Sequence, residues 1–214
     1  MNKYTPRLRN TIHRLPQRAR YDRGTIEAII DDALVCHIAF NHGGCAHCLP
    51  TACWRYGDFL YIHGANNSRM IHALLVEDCA VCITHLDGLV LARSAFHHSM
   101  NYRSVVIYGR FEEIIDSEAK QLALATFVEY VSPGRSVLVR SPLEAELSGT
   151  RVLRISLLEA VAKVREGGPN DADEDLAIPV WAGVIPLILR VGDSQADSGC
   201  ESFIPPGTPS FLKA

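Results

Sequence analysis

The sequence predicts a mainly β protein, a β-barrel with peripheral helices. Short apolar segments alternate with turn residues such as Asn41-His42-Gly43-Gly44, and helical periodicity is confined to a few stretches. The strands follow one another in hairpins, without the strand–helix alternation of a parallel sheet. The chain of 214 residues, 48% of them hydrophobic, is long enough to bury a sizeable core in one domain.

Each element is predicted from its local pattern. The arginine-rich residues 1–23 are expected to form a solvated, extended arm. Helices are predicted at residues 25–32, 68–76 and 117–130, the last capped by Ser117. Strands are predicted at residues 33–40, 45–54, 59–63, 79–85, 89–96, 103–115 and 150–166, the last with a bend. Hairpins join 45–54 to 59–63 and 79–85 to 89–96. The domains are then the arm 1–23, a barrel at 24–191 and a loosely held tail at 192–214.

Charge and cysteine content narrow the expected partners and compartment. The formal net charge of −3 offers no broad basic surface, so nucleic acid is not an expected partner. The longest uncharged run, residues 176–189, is too short to span a membrane as a helix and contains Pro179 and Pro186; it is expected to be a buried strand or an interface segment. The seven cysteines and the lack of a secretion signal favour reduced thiols in a cytoplasmic protein.

Residues 61–70 have the pattern of a strand end, a glycine turn and the first turn of a helix. Backbone N–H groups without partners collect at such a helix start and bind anions readily. Ser68 and Arg69 add a hydroxyl and a guanidinium at the same place, which suits a phosphate. His63 lies at the strand end, where a phosphate-anchored cofactor would place its reactive part. The stretch predicts a cofactor site with an anchor and a candidate chemical residue.

Three further stretches are rich in potential ligands. The Cys45/Cys48 and Cys79/Cys82 pairs have zinc-like spacing, but residues three apart in a strand face opposite sides. Buried thiols are favoured, and no metal site is predicted. Residues 93–104 place polar groups ahead of an apolar strand and are expected to line a pocket at the barrel mouth. His97 and His98 are adjacent, so at most one is expected to be functional.

Three motifs occur in the order found in a known family. They are Leu49-Pro50-Thr51-Ala52, Tyr61-x-His63-Gly64 with Ser68-Arg69, and Asn101-Tyr102-Arg103-Ser104-Val105-Val106-x-Tyr108-Gly109. Over residues 20–190 the chain resembles the pyridoxamine 5′-phosphate oxidase-related superfamily, and within it the flavin-nucleotide-binding branch that includes the Nim nitroimidazole-resistance proteins. The resemblance implies a six-stranded antiparallel split β-barrel of Greek-key type at 24–191, a homodimer with FMN bound at the subunit interface.

The same resemblance implies a set of cofactor-binding residues. Pro50 and Thr51 would run along the flavin ring. His63 and Gly64 would lie beside the ring and the ribityl chain, and Ser68 and Arg69 would hold the phosphate. Tyr102, Arg103 and Ser104 would lie on a barrel strand near the flavin. Trp181 resembles an aromatic residue that reaches across the interface, and a core tryptophan is an equal alternative.

The expected function is that of an FMN-dependent oxidoreductase, in which NAD(P)H reduces the flavin and a small-molecule substrate takes up its electrons. His63 is the candidate catalytic residue, as a proton donor or a substrate-positioning group. The Arg/His pair that recognises pyridoxal phosphate in true pyridoxamine phosphate oxidases is not found in this sequence, so vitamin B6 oxidation is not expected. Two alternatives stay open: a non-catalytic flavin-binding or sensing module, and a haem-binding or haem-degrading protein with His63, His97 or His98 as axial ligand.

Overall fold

The computed structural model describes residues 3–4 and 6–212. Within these residues the chain forms eleven strands: β1 (Ala19–Arg20), β2 (Val35–His42), β3 (Cys45–Ala52), β4 (Trp54–Tyr56), β5 (Phe59–Ala65), β6 (Cys79–Leu91), β7 (Ser99–Gly109), β8 (Glu112–Glu113), β9 (Thr150–Ser156), β10 (Ala160–Arg165) and β11 (Gly183–Pro186). Four α-helices accompany them: α1 (Arg23–Asp31), α2 (Arg69–Val76), α3 (Ser117–Val131) and α4 (Glu144–Gly149). No helix among the described residues is long and apolar enough to cross a membrane.

The strands form two antiparallel sheets, which confirms the mainly β prediction. The large sheet has the order β1-β10-β7-β6-β2-β3, and β11 pairs with the second half of β6. The small sheet has the order β4-β5-β9-β8. In the large sheet β6 and β7 pair over most of their length, from Cys79 opposite Gly109 to Val90 opposite Ser99. This central pair fixes the register of the strands on either side.

One bent segment joins the two sheets. β9 ends at Ser156, a 3₁₀ turn covers Leu157–Glu159, and β10 begins at Ala160. The Ser156 hydroxyl accepts a hydrogen bond from the Leu158 N–H (3.3 Å), and Leu157 is fully buried. The sequence predicts a single bent strand here, and the bend is where the chain passes from the small sheet to the large one. With this segment counted once, the longer strands number six, and β1, β4, β8 and β11 add short pieces.

The hydrophobic core lies between the two sheets and is closed by α1 and α2. Its members include Ile38, Val81 and Ile107 of the large sheet, Leu60, Ile62 and Leu153 of the small sheet, Ile26, Ile29 and Ile30 of α1, and Ile71 and Leu74 of α2. The helical residues recur at spacings of three and four, so each helix turns one apolar face inward. A second cluster forms outside the small sheet, where α3 packs Ala123 and Phe127 against Trp54 and Tyr61.

The predicted hairpin of 79–85 with 89–96 is wrong, because β6 runs unbroken from Cys79 to Leu91. The expected turn at Leu86-Asp87-Gly88 is a β-bulge, where the pairing with β7 shifts register. Gly88 is needed there for close approach, since a Cβ atom would lie 3.1 Å from the Ile185 carbonyl oxygen of β11. A glycine next to a polar residue usually indicates a turn, whereas here Asp87-Gly88 lies within a bulge of a continuous strand.

The predicted pairing of 45–54 with 59–63 is only partly correct. Residues 45–52 form β3, which pairs with β2, and only β4 pairs with β5. Gly43 and Gly44 adopt positive φ angles of 59° and 77° and close a tight β2–β3 hairpin. β2 and β3 are of equal length, and the glycine turn between them makes them partners.

Helix starts and chain ends also differ from the prediction. Asp22 caps α1 and Asp116 caps α3, each carboxylate accepting a 2.8 Å hydrogen bond from a first-turn N–H. The N-terminal segment is not simply solvated, because Tyr4 is 4% exposed. The tail contacts α3 near its end, where the Ser132 hydroxyl donates to the Gly207 carbonyl (2.8 Å). Both segments therefore hold to the domain at discrete points.

The position of α2 depends on Gly64 in β5. A Cβ atom at this position would lie 2.8 Å from Cγ1 of Ile71, a fully buried residue of α2. The helix therefore lies directly on the backbone of β5. This contact sets where the N-terminus of α2 emerges.

We expect Gly64→Ala to destabilise the protein by about 1–3 kcal/mol, because the added methyl group overpacks the contact with Ile71. The measurement is the free energy of unfolding in urea. Gly149→Ala is the matched control, since a Cβ atom at Gly149 meets nothing within 4 Å. Equal stability of the two variants would contradict the close contact.

Candidate functional site

The strand end and the helix start predicted at residues 61–70 are present, but the predicted glycine turn is wrong. Gly64 lies within β5, where it pairs with Arg151, and the turn is formed by Asn66 and Asn67. Ser68 is the N-cap residue, and its hydroxyl accepts a hydrogen bond from the Ile71 N–H (3.4 Å). The Ser68 N–H donates to the Ala65 carbonyl (3.0 Å), which closes the turn between β5 and the helix. The first backbone N–H groups of a helix point out of its end and lack carbonyl partners within the helix. The helix start is thus capped on one side and open to an anion on the other.

A cleft of about 160 Å³ opens beside this helix end. Its lining consists of Phe40, His42, His47, Leu49, Ser68, Arg69 and Met70. The β2–β3 hairpin supplies the first four residues and α2 the rest. Three side chains are apolar, and Arg69 brings a positive charge. The cleft is below the ~300 Å³ of a typical small-molecule pocket, so within one subunit it suits a phosphate group rather than a whole cofactor.

Arg69 is exposed and forms no ion pair with any carboxylate of the described residues. Other arginines of this protein are held by acidic partners, as Arg55 is by Asp31 (2.5 Å). An unpaired guanidinium at a helix N-terminus, where the helix dipole also favours negative charge, is a strong phosphate-binding arrangement. The Ser68 hydroxyl is already engaged as the cap, so its first role is to order this helix end.

His42 and His47 are cleft residues that the motif analysis misses. The His47 ring stacks on Phe40 (5.3 Å between centroids, 19° between planes), and His42 lies 6.2 Å from His47. The feature that would have identified both histidines is the β2–β3 register, in which His47 lies opposite Phe40. Side chains opposite each other share a face. The glycine turn thereby brings both imidazoles beside Arg69. This placement cannot be predicted from the sequence unless β3 is known to pair with β2.

Pro50, Tyr102 and Ser104 lie on the outer face of the large sheet, which points away from the core. Pro50 of β3 lies opposite His37 of β2. His37 lies opposite Cys82 of β6, which in turn lies opposite Val106 of β7, so these four residues form one cross-strand row. Tyr102 and Ser104 are four and two residues from Val106, so they share its face. Thr51 pairs with the buried Cys36 and belongs to the opposite face. The Ser104 hydroxyl donates to the Lys163 carbonyl (3.2 Å).

Arg103 has a defined structural role. Its guanidinium pairs with Asp32 at the end of α1 (2.7 Å) and with Asp87 in the β6 bulge (3.1 Å). Hydrogen bonds to these carboxylates, first to Asp87, raise the pKa of Arg103 above its ordinary value. The side chain ties α1 to the large sheet, and both its charge and its donors are occupied.

His63 and Gly64 are neighbouring positions of β5 and therefore face opposite sides of the strand. The His63 ring packs under α3, 4.9 Å from the Phe127 ring and 5.8 Å from the Trp54 ring. Its Nδ1 atom is buried with no hydrogen-bond partner among the described residues. Burial lowers the pKa of His63 below its ordinary value near 6.5, so the ring is neutral at neutral pH. These contacts give no support to a proton-donor role within one subunit.

Trp181 lies just before β11 and is 63% exposed. Its ring covers Gly183, where a Cβ atom would approach to 2.9 Å. The neighbouring apolar residues Val180 and Leu189 are also exposed. Residues 176–189 therefore form an exposed apolar edge, with β11 as a short strand inside it.

His97 and His98 lie at the 3₁₀ turn Ala95–His97. Nδ1 of His97 hydrogen-bonds the Ser94 hydroxyl (2.9 Å), and Nδ1 of His98 hydrogen-bonds the Ser94 carbonyl (2.9 Å). The Phe96 ring, 5.3 Å from the His97 ring, is 89% exposed. The predicted residues thus occupy separate regions: only Ser68 and Arg69 line the α2 cleft within the described chain. No group of three His, Cys, Asp or Glu side chains in that part of the chain is arranged to hold a metal ion.

Comparison with known proteins identifies the family. The family model described as pyridoxamine 5′-phosphate oxidase matches residues 22–164. The chain belongs to the pyridoxamine 5′-phosphate oxidase family. Its solved relatives include the flavocytochrome Anf3 from Azotobacter vinelandii (37% identity, 98% of this chain and 97% of that chain, TM-score 0.89). The FAD and haem binding protein from Mycobacterium smegmatis is 33% identical (88% and 93% covered, TM-score 0.83).

A third structure supports the fold alone. A 5-nitroimidazole antibiotic resistance protein from Bacteroides thetaiotaomicron is 21% identical over 68% of this chain and 86% of that chain, with a TM-score of 0.58. The search of curated proteins gives no match. The resemblance drawn from the three motifs, and the split-barrel fold that it implies, are confirmed for this family member.

We expect His63→Phe to weaken the dependence of stability on pH. Because the folded pKa of His63 lies below 6.5, the unfolded chain takes up a proton that the folded chain does not, and stability falls as pH drops below about 6.5. Removing the imidazole removes this contribution. The measurement is the free energy of unfolding at pH 7.5 and pH 5.

The control for this experiment is His72→Phe, which removes an exposed imidazole from α2. If His63→Phe loses as much stability on acidification as the wild type, His63 is not buried as a neutral ring.

Proposed function

We propose that this protein binds a flavin nucleotide and that the α2 cleft holds its 5′-phosphate. The observation that carries the proposal is Arg69, an unpaired guanidinium at a capped helix N-terminus. The Anf3 relative is a flavocytochrome, and the M. smegmatis relative binds FAD, which supports a flavin in this chain. The apolar lining from Phe40, Leu49 and Met70 suits the carbon chain next to the phosphate.

FMN is the cofactor that the motifs predict, and FAD is the one that the M. smegmatis relative binds. Both carry a phosphate on the ribityl chain, so the α2 cleft is compatible with either. Mass spectrometry of the cofactor released from the purified protein decides between them.

We propose a homodimer as the working form. The α2 cleft is too small for a flavin ring, while Pro50 is exposed and Tyr102 and Ser104 are half-buried on the outer face of the large sheet. The apolar edge around Trp181 is likewise exposed. Unsatisfied apolar surface of this kind favours association. A second subunit would supply the contacts to the flavin ring that the α2 cleft of one subunit lacks.

The expected activity is reduction or oxidation of a small molecule, with NAD(P)H as the candidate reductant. A bound flavin supplies the hydride and electron chemistry. The chain orients the cofactor through Arg69 and excludes water through the apolar lining of the cleft. Bleaching of the flavin absorbance by NAD(P)H without oxygen tests turnover, and a flavin that resists every reductant favours the non-catalytic binding module.

We expect Arg69→Ala to weaken flavin binding about tenfold or more, because a charge-assisted hydrogen bond to phosphate contributes roughly 1.5–3 kcal/mol. The measurement is the dissociation constant from quenching of flavin fluorescence. Arg110→Ala is the matched control at the other end of α2, where Arg110 donates to the Val76 carbonyl (3.4 Å). Unchanged affinity in Arg69→Ala would refute the phosphate assignment.

Haem binding is a second candidate function, favoured by the turn that holds His97 and His98. In both rings Nδ1 is hydrogen-bonded to Ser94, which would leave Nε2 as the ligand atom, as in metal-ligating histidines. The exposed Phe96 offers an apolar surface beside them. Anf3 is a flavocytochrome, and the M. smegmatis relative binds haem.

We expect haem addition to give a Soret band that one of the variants His97→Ala and His98→Ala abolishes, because only one imidazole can face a given haem. His13→Ala, at an exposed position of the N-terminal segment, is the control. A band that survives both substitutions would exclude these ligands.

A further inference from the structure

The arginines of the N-terminal segment are of two kinds. Arg7, Arg9 and Arg23 form ion pairs with carboxylates of the barrel or of α1. Arg14, Arg18 and Arg20 form none with any carboxylate in residues 3–4 and 6–212. Of these, Arg18 and Arg20 line a cleft. Arg20 donates only to the backbone carbonyls of Gln17 (2.8 Å) and Ala19 (2.9 Å). The paired arginines dock the segment, so the unpaired ones need another explanation.

Another arginine without an acidic partner in the described structure lies at the end of β10. Arg165 is 7% exposed, and it donates to Asn101 Oδ1 and to the carbonyls of Gly167 (3.2 Å) and Gly168 (3.1 Å). All three acceptors are neutral. A buried charge without a counter-ion is unfavourable. Burial, and then the charge of Arg18, lower the pKa of Arg165 below its ordinary value.

Three arginines, Arg18, Arg20 and Arg165, line one cleft of about 310 Å³ between the N-terminal segment and the end of β10. The other lining residues are Gln17, Val164, Glu166, Gly168 and Asn170. Glu166 is exposed and forms no ion pair with any of the three arginines in the described structure. The cleft therefore carries an excess of positive charge, part of it desolvated.

We propose that this cleft binds a phosphomonoester dianion through Arg18, Arg20 and Arg165. Guanidinium groups donate in pairs to phosphate oxygens, and a doubly charged anion matches the excess positive charge. The amide side chains of Gln17 and Asn170 supply further donors at the rim. β1 and β10 lie at the opposite edge of the large sheet from β3, so this anion site is separate from the α2 cleft and does not depend on flavin binding.

Calorimetric titration of the full-length protein with inorganic phosphate, 2′-AMP and adenosine tests the proposal. We expect a phosphate-bearing ligand to bind with a dissociation constant of about 1 mM or tighter, and adenosine not to bind. Arg18→Gln and Arg20→Gln should each weaken binding about tenfold. Arg190→Gln is the control for loss of one exposed charge, and thermal melting verifies that each variant folds. Arg165 is left intact because it is buried.

The two sources of phosphate are distinguished by the same titrations. Equal affinity for inorganic phosphate and 2′-AMP supports a site for the free anion, and tighter binding of 2′-AMP supports a phosphorylated nucleoside. Absence of binding by both ligands, or binding that Arg18→Gln and Arg20→Gln leave unchanged, would overturn the proposal. A colourless protein that still binds phosphate would reject the flavin proposal and keep this one.

Discussion

The contact between Gly64 and Ile71 is the constraint on which the candidate site depends. It lets α2 lie directly on β5, and Ile71 in turn belongs to the core that both sheets share. The helix N-terminus is thereby fixed beside the β2–β3 hairpin, where it forms the cleft. A bulkier residue in β5 would push the helix outward and separate Arg69 from the hairpin. The strand, the glycine and the capped helix start therefore act as one unit.

Arginines that pair with a carboxylate have a structural role in this protein, whereas arginines without one that line a cleft are candidate ligand-binding residues. Arg103 is held by Asp32 and Asp87, and it stabilises the junction of α1 with the large sheet. Arg69 has no such partner in the described chain, although it is equally well placed on a regular element. Surface ion pairs contribute little stability, whereas an unpaired arginine in a cleft retains its full capacity for an anion. The same criterion singles out the Arg18, Arg20 and Arg165 cleft.

Local pattern predicted the fold class and α2, because hydrophobic period acts over a few residues. The predicted cap of α3, Ser117, was wrong by one residue, since Asp116 caps that helix. Local pattern could not predict strand partners: β3 pairs with β2 and β6 runs through its bulge, since those outcomes depend on residues far along the chain. For the same reason His42 and His47 were missed. His63 was placed near the anchor by sequence spacing, but strand alternation turns it under α3.

The central claim is that the phosphate of a flavin nucleotide is anchored at the α2 N-terminus. Comparing the affinities of riboflavin and FMN for the cofactor-free protein tests it most directly, because the two ligands differ only in the phosphate. We expect FMN to bind about a hundredfold more tightly, from two charge-assisted hydrogen bonds at roughly 1.5 kcal/mol each. Equal affinity for riboflavin and FMN would contradict it.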